Sequence, residues 1–562
     1  MKSKINRIKI VGLLSLTLLC GGLHSGILTT AQEMRRERTS EKPTPTPKQT
    51  PTPKPTAAPT IIPTPTPTPI PLQTVADLQA KIRAITARSE LRRGQIGTKI
   101  VSLETNKTIY EENAEKYFMP ASNMKSYTVA AGLEKLSPDF RFTTSVFAPT
   151  MPDANGTIRG DVSVFGRGDV SFSAGFYDGD FFKGLNALAD KIAQSGVKRI
   201  EGNIVGDESY FSGNTIPASW EWDDLQWKSG AEISALPVND NLIELNIKPS
   251  AVNSPCYIQT LPTNTIMKIV NRCQTSPAGT ERGIQVTKKL DQNILEIGGT
   301  MPVGDKGYKG GVTVSRPAQL FVELLRGILL QKGVTITGQN KVINASEKYV
   351  SAVVSSIPQI EIAKLESPPF SVIAAKTMKP SQNTYTEIIL WTLGEQIGRK
   401  QAADLATDEI SLAKLRKTSS AELGANAVRN FLTEIGIAPD SVVQWDGSGL
   451  SRHNLITPNS AVALYTYMSK SRYANVWRDS LTVGGVDGTL QNRFKGTIAA
   501  DNVRGKTGTI DQVSTLSGYV TTAAGERLVF SILVNGVNDG RLRQAVIDEI
   551  VVALANFNGK TL

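Results

Sequence analysis

The chain has 562 residues, a formal net charge of +11, three cysteines and two histidines. That length leaves room for about two to four domains and a sizeable core, which excludes a single small module. Lysine and arginine are dispersed and not interleaved with aromatics, which argues against nucleic-acid binding and suits solubility, or peripheral contact with an anionic wall polymer or lipid head groups.

Residues 1–9 are basic, and residues 10–19 form an apolar run followed by small residues, as a secretory signal requires. Export to the periplasm or cell envelope is therefore expected, with residues 1–31 as a signal cut after Ala31 or retained as an anchor. The bulky Leu18-Leu19 before Cys20 argues against a lipoprotein site. Residues 32–72 read as a linker dominated by Thr-Pro repeats, extended or disordered, with a reach on the order of 90 Å at about 3.1 Å per residue.

Helical periodicity follows over residues 75–91, and residues 96–103 and 108–110 read as a hairpin turned at 104–107. Pro120 then marks a helix start, and residues 124–133 are apolar enough to be a buried helix. Further on, residues 160–165, 242–247 and 294–297 are strand-like and broken by Gly, Pro and Asn. Residues 515–521 and 527–534 alternate as strands, and a helix over 541–557 closes the chain.

On a helix, positions three apart share a face, so Ser122 and Lys125 place a hydroxyl beside an amine. A serine attacks poorly until a neighbour takes its proton, and a lysine does this only when burial or a second cation lowers its pKa. A chain of this composition holds roughly two Ser-x-x-Lys matches by chance, and Ser411 with Lys414 is one. Order and company distinguish Ser122. Ser381-Gln382-Asn383 and Lys506-Thr507-Gly508 follow it, in the order found in β-lactamases and penicillin-binding proteins.

Ser381 and Asn383 reach one cleft whether their segment is extended or a tight turn, Ser381 to relay a proton and Asn383 to hold a substrate amide. Lys506, placed ahead of a sheet-rich segment, supplies the second cation and attracts a substrate carboxylate, to which Thr507 donates. Gly508 lets the substrate backbone approach, and the N–H groups of Ser122 and Thr509 are candidates for an oxyanion hole. Ser212-Gly213-Asn214 reads as a turn or cap. Once the signal is gone His453 is the only histidine, so no multi-histidine metal site can form, no metal or cofactor is expected, and a lysine base is the economical alternative to a Ser-His-Asp triad. The two cysteines then left, Cys256 and Cys273, are expected to pair in an exported chain.

These strings, with Asp446-Gly-Ser-Gly-Leu-Ser-Arg-His-Asn454, Gly485-Val-Asp-Gly-Thr489, Val205-Gly-Asp-Glu-Ser-Tyr-Phe211 and Ser234-Ala-Leu-Pro-Val-Asn239, closely resemble the low-molecular-mass class C penicillin-binding proteins, the D-alanyl-D-alanine carboxypeptidase/endopeptidase family. The resemblance implies an α/β penicillin-recognising, β-lactamase-like serine hydrolase domain at 73–140 and 366–562. A mostly β second domain would be inserted at 141–165 and 235–365, with a small third domain at 166–234. It also implies that Ser122 is acylated, that Lys125 is its base, and that Ser381, Asn383, Lys506 and Thr507 bind and relay. A pocket for the end of a diaminopimelate side chain would fall on Asp224 and Arg452, with Ser229 standing where the family often has an aromatic residue. The expected activity is cleavage of peptidoglycan muropeptides at D-Ala-D-Ala, extending to crosslinks, with β-lactams as inhibitors. Its rivals are a β-lactamase and a wall-binding protein without turnover.

Overall fold

A six-stranded antiparallel sheet is built from the two ends of the chain. Its strands, in spatial order, are Thr108–Glu112, Gln95–Ser102, Arg527–Asn535, Val513–Thr521, Arg504–Ile510 and Thr482–Val483. The computed structural model describes residues 71–263, 266–352 and 359–561, so the expected signal and the linker up to residue 70 lie outside the described residues. Side chains alternate across a strand, and on Arg527–Asn535 both faces are covered. Leu528, Phe530, Ile532 and Val534 pack with Leu78 and Ile82 of helix Val75–Thr86 and Ile550 and Leu554 of helix Gly540–Ala555. Val529 and Leu533 face a second core on the opposite side.

At the centre of that second core is the helix Met124–Leu136, whose residues from Met124 to Leu133 are all buried. A helix that is buried all round needs neighbours all round. Phe370–Met378, Asn383–Leu393 and Ser420–Glu434 supply them, and a Cβ on Gly132 would lie only 2.7 Å from the Phe370 ring.

The insertion has its own core. A five-stranded sheet runs Asn340–Ile343, Ile204–Asp207, Val162–Phe165, Thr143–Ala148, Ile360–Glu366, and the helices Lys183–Gln194 and Pro317–Gln331 pack beside it. Ile204–Asp207 pairs in parallel with both of its neighbours. Of residues 166–234, expected as a third domain, the strand Ile204–Asp207 joins this sheet and the helix Lys183–Gln194 packs beside it in the same core. The disulfide Cys256–Cys273, with Cα atoms 5.3 Å apart, lies instead in the excursion after Leu242–Lys248, where Tyr257–Leu261 and several short strands form small sheets. The Lys506 motif also differs from expectation in one respect: it lies within the strand Arg504–Ile510, not ahead of the sheet.

Candidate active site

Three segments meet at the end of the central helix. A short 3-10 turn, Ala121–Asn123, leads into Met124–Leu136 and brings Ser122 within one turn of Lys125. Ala121 has φ +45°, a conformation that costs a non-glycine residue free energy and persists only where the surroundings impose it. The turn at Gly449 is part of what imposes it. A Cβ on Gly449, itself at φ +82°, would lie 1.8 Å from the Ala121 carbonyl oxygen.

Lys125 is fully buried, and its Nζ lies 2.9 Å from Ser122 Oγ, 2.6 Å from Asn383 Oδ1 and 2.6 Å from the Ser448 carbonyl oxygen. Burial penalises the charged amine and pulls its pKa down to about 7, although the carboxyls of Asp446 and Glu387 act the other way. A neutral amine can accept the Ser122 proton across the same contact. Lys506, also fully buried, donates to Ser381 Oγ at 2.9 Å and to the Thr507 carbonyl at 2.8 Å. Its pKa is pushed well below the usual lysine value, first by burial and then by Lys125.

Ser381 adopts φ +64° between the helices Phe370–Met378 and Asn383–Leu393, so its segment is a tight turn with Asn383 opening the second helix. The insertion holds this turn. Asn383 Nδ2 donates to the Ser229 carbonyl at 3.0 Å, and Asp240 accepts from Gln382 Nε2 at 2.8 Å, Tyr385 OH at 2.6 Å and Lys228 at 2.8 Å.

Several residues assigned no separate role from the sequence shape the site from behind. The buried Glu387 accepts from the backbone N–H of Gly447 at 3.0 Å and Ser448 at 2.7 Å, which turns the Ser448 carbonyl toward Lys125. Burial, and then Asp446, pushes the Glu387 carboxyl up to about 8. Asp446 accepts from Trp220 Nε1 at 2.9 Å, the N–H of Gly449 and Ser451 at 2.7 Å each, and Asn454 Nδ2 at 2.8 Å. Thr489 Oγ1 lies 2.6 Å from Thr507 Oγ1.

Ser122, Ser381, Asn383, Thr507, Gly508 and Thr509 line one cavity of about 480 Å³. Thr482–Val483 pairs only with Arg504 and Gly505, so among the described residues the edge from Lys506 to Thr509 has no strand beside it and can receive an extended peptide. Gly508 permits that approach and the packing behind it, since a Cβ there would meet Thr515 Oγ1 at 2.3 Å and the Pro120 carbonyl at 2.5 Å. The decoy Ser411 donates to Asp408, which caps the helix Glu409–Lys417, and the His453 ring lies tilted against Trp445 with centroids 5.2 Å apart.

Asp224 and Arg452, expected to hold the two ends of a diaminopimelate side chain, lie outside the cavity lined by the three motifs. Arg452 Nε lies 3.3 Å from the Glu221 carboxylate, and its Nη2 donates to the Asp511 carbonyl at 3.2 Å. Asp224, in the short turn Trp222–Asp224, has its carboxyl raised by partial burial and then by Asp223 and Glu221, with Arg452 opposing.

The pattern of the D-Ala-D-Ala carboxypeptidase 3 (S13) family matches residues 78–557, through the whole insertion as well as the three motifs. The chain belongs to that family. A D-alanyl-D-alanine carboxypeptidase of Actinomadura sp. (strain R39) is 30% identical over 496 residues, 86% of each chain. Penicillin binding protein 4 of Haemophilus influenzae shares the fold, with a TM-score of 0.68 at 23% identity over 87% of this chain and 100% of that one. Its complex with a β-lactam gives 0.64 at 21% identity over 86% and 98%. S13 membership makes this protein a serine-type D-Ala-D-Ala carboxypeptidase and sets the β-lactamase alternative aside.

Proposed function

We propose that the protein, acting in the periplasm or cell envelope, cleaves D-Ala-D-Ala ends and D-Ala crosslinks of muropeptides through an ester on Ser122. The observation that carries this reading is the 2.9 Å contact between Ser122 Oγ and a buried lysine whose pKa lies near neutrality. Ser122 Oγ gives its proton to neutral Lys125 and bonds to the carbonyl carbon. The oxyanion is taken by the N–H groups of Ser122 and Thr509. Collapse breaks the C–N bond, and the leaving amine receives a proton by way of Ser381, which Lys506 holds at 2.9 Å. Asn383 holds the amide of the acyl strand, and Lys506 and Thr507 take the substrate carboxylate. Water then hydrolyses the ester, so the net reaction consumes one water and releases D-alanine or the crosslinked strand.

Asp224 and Arg452 form the diaminopimelate subsite in this reading, Asp224 for the ammonium and Arg452 for the carboxylate. The Glu221 carboxylate, 3.3 Å from Arg452, yields its place when that carboxylate binds. The excess of basic charge suits association with anionic wall polymer. Purified protein incubated with a crosslinked muropeptide should release D-alanine and the two separated strands, identified by mass. Recovery of intact substrate under conditions where penicillin still labels the protein would overturn the substrate assignment.

A further inference from the structure

The reaction cavity continues past Thr509 to the start of the closing helix, where Arg493 and Arg543 both line it. The two guanidinium groups differ in their partners. Arg493 is paired with Asp548, which accepts from its Nε at 3.0 Å. Arg543 is only 5% exposed, yet no carboxylate is bonded to it among the described residues. Its Nε donates to Ser514 Oγ at 3.1 Å, and its Nη1 donates to the carbonyls of Val537 and Asn538. Those bonds fix the group and leave Nη2 without an acceptor among the described residues, 3.3 Å from where a Cβ on Gly540, another lining residue, would stand.

The placement connects this donor to the motif strand. Ser514 is the cross-strand partner of Thr509, and Thr509 shares a face with Thr507 two positions back. A buried cation without a bonded counter-ion is costly, and the cost lowers the Arg543 pKa, with Asp511 and Asp539 opposing from farther off. An arginine nevertheless stays charged at neutral pH, whereas Lys506 is driven toward its neutral form by burial and by Lys125. A substrate carboxylate at the motif strand therefore needs a more dependable positive charge than Lys506 alone.

We propose that Arg543 binds the free α-carboxylate of the leaving residue through Nη2, beside Lys506 and Thr507, and so selects substrates that carry that carboxylate. This rests on the function proposed above. The carboxylate belongs to D-alanine in an uncrosslinked stem and to the diaminopimelate centre in a crosslink, so one guanidinium serves both reactions.

A matched pair of D-alanyl thioesters tests it, one whose leaving thiol bears a carboxylate and one whose leaving thiol bears a carboxamide; both are reactive enough to follow. Wild type should favour the carboxylate. In Arg543→Gln, kcat/KM for the carboxylate thioester should fall by about 10- to 100-fold, the range of a lost charged hydrogen bond, with the carboxamide nearly untouched. Arg543→Lys, which keeps the charge but not the fork, should lose less; if Arg543→Gln does not fold, the lysine variant is read in the same way. Equal losses on both substrates, or none on either, would refute the assignment. Wild type that hydrolyses neither thioester would remove the functional reading and this one with it, whereas wild type that hydrolyses both and a variant that keeps the preference would remove Arg543 alone.

Discussion

Lys125 is where burial becomes chemistry. Desolvation holds its pKa at about 7, far below a free lysine, and only the neutral amine can accept the Ser122 proton. Below that pH the amine is protonated and cannot act, so penicillin acylation should rise with pH through about 7 and then level. A rapid-quench pH profile checks this, and a flat profile would contradict it. Lys125→Ala should slow acylation by at least the roughly 10²-fold typical of a lost general base. At the proposed diaminopimelate subsite, Asp224→Ala should lower kcat/KM for a diaminopimelate peptide by about 10- to 100-fold while sparing a truncated D-Ala-D-Ala substrate. Equal falls on both would make Asp224 structural. The motif residues were legible because each motif spans only three or four consecutive positions and the three come in a telling order. Glu387 and Asp240 were not, because each accepts hydrogen bonds from residues distant in sequence, and a lone acid on a helix or turn carries no signal of that task; Asp446 stood in a quoted string, but its bond from Trp220 was invisible there.

At the scale of elements, the turn carrying Ser381 is the least self-sufficient part of the site. Its φ of +64° is held by contacts from the insertion, chiefly Asp240 and the Ser229 carbonyl. Asp240→Ala strands the buried Gln382 and Tyr385 together, so it should cost about 1–3 kcal/mol of stability and slow acylation in parallel. Thermal unfolding and penicillin acylation measured on one preparation decide the point; lost stability with unchanged acylation would mean that the insertion does not position the turn. The terminal hairpin, the two long strands and the closing helix were readable from alternation and periodicity. The helix Lys183–Gln194 went unread in an insertion expected to be mostly β, although Leu185, Leu188, Ala189 and Ile192 keep helical spacing. What periodicity could not convey is that Ile204–Asp207 pairs in parallel between two strands distant in sequence; the third domain at 166–234 was an implication of the family resemblance and not of the pattern.

Across the whole of the described chain from residue 71, the sheet joins the two ends while the insertion grows from the connection between the Ser122 helix and the Ser381 turn. The insertion then returns to brace that turn through Asp240 and the Ser229 carbonyl. Its outer excursion is stapled by Cys256 and Cys273, 17 residues apart, a closure worth about 3 kcal/mol in the chain-entropy model. Thiol labelling of exported, unreduced, unfolded protein should modify neither residue, and labelling of both would show that the bridge does not form. The central claim is that one serine among several candidates becomes acylated because its lysine is buried beside it. Mapping the penicillin adduct by peptide mass tests this directly. The adduct should lie on Ser122 alone and vanish in Ser122→Ala; an adduct on Ser411, or one that forms at the same rate without Ser122, would contradict the account.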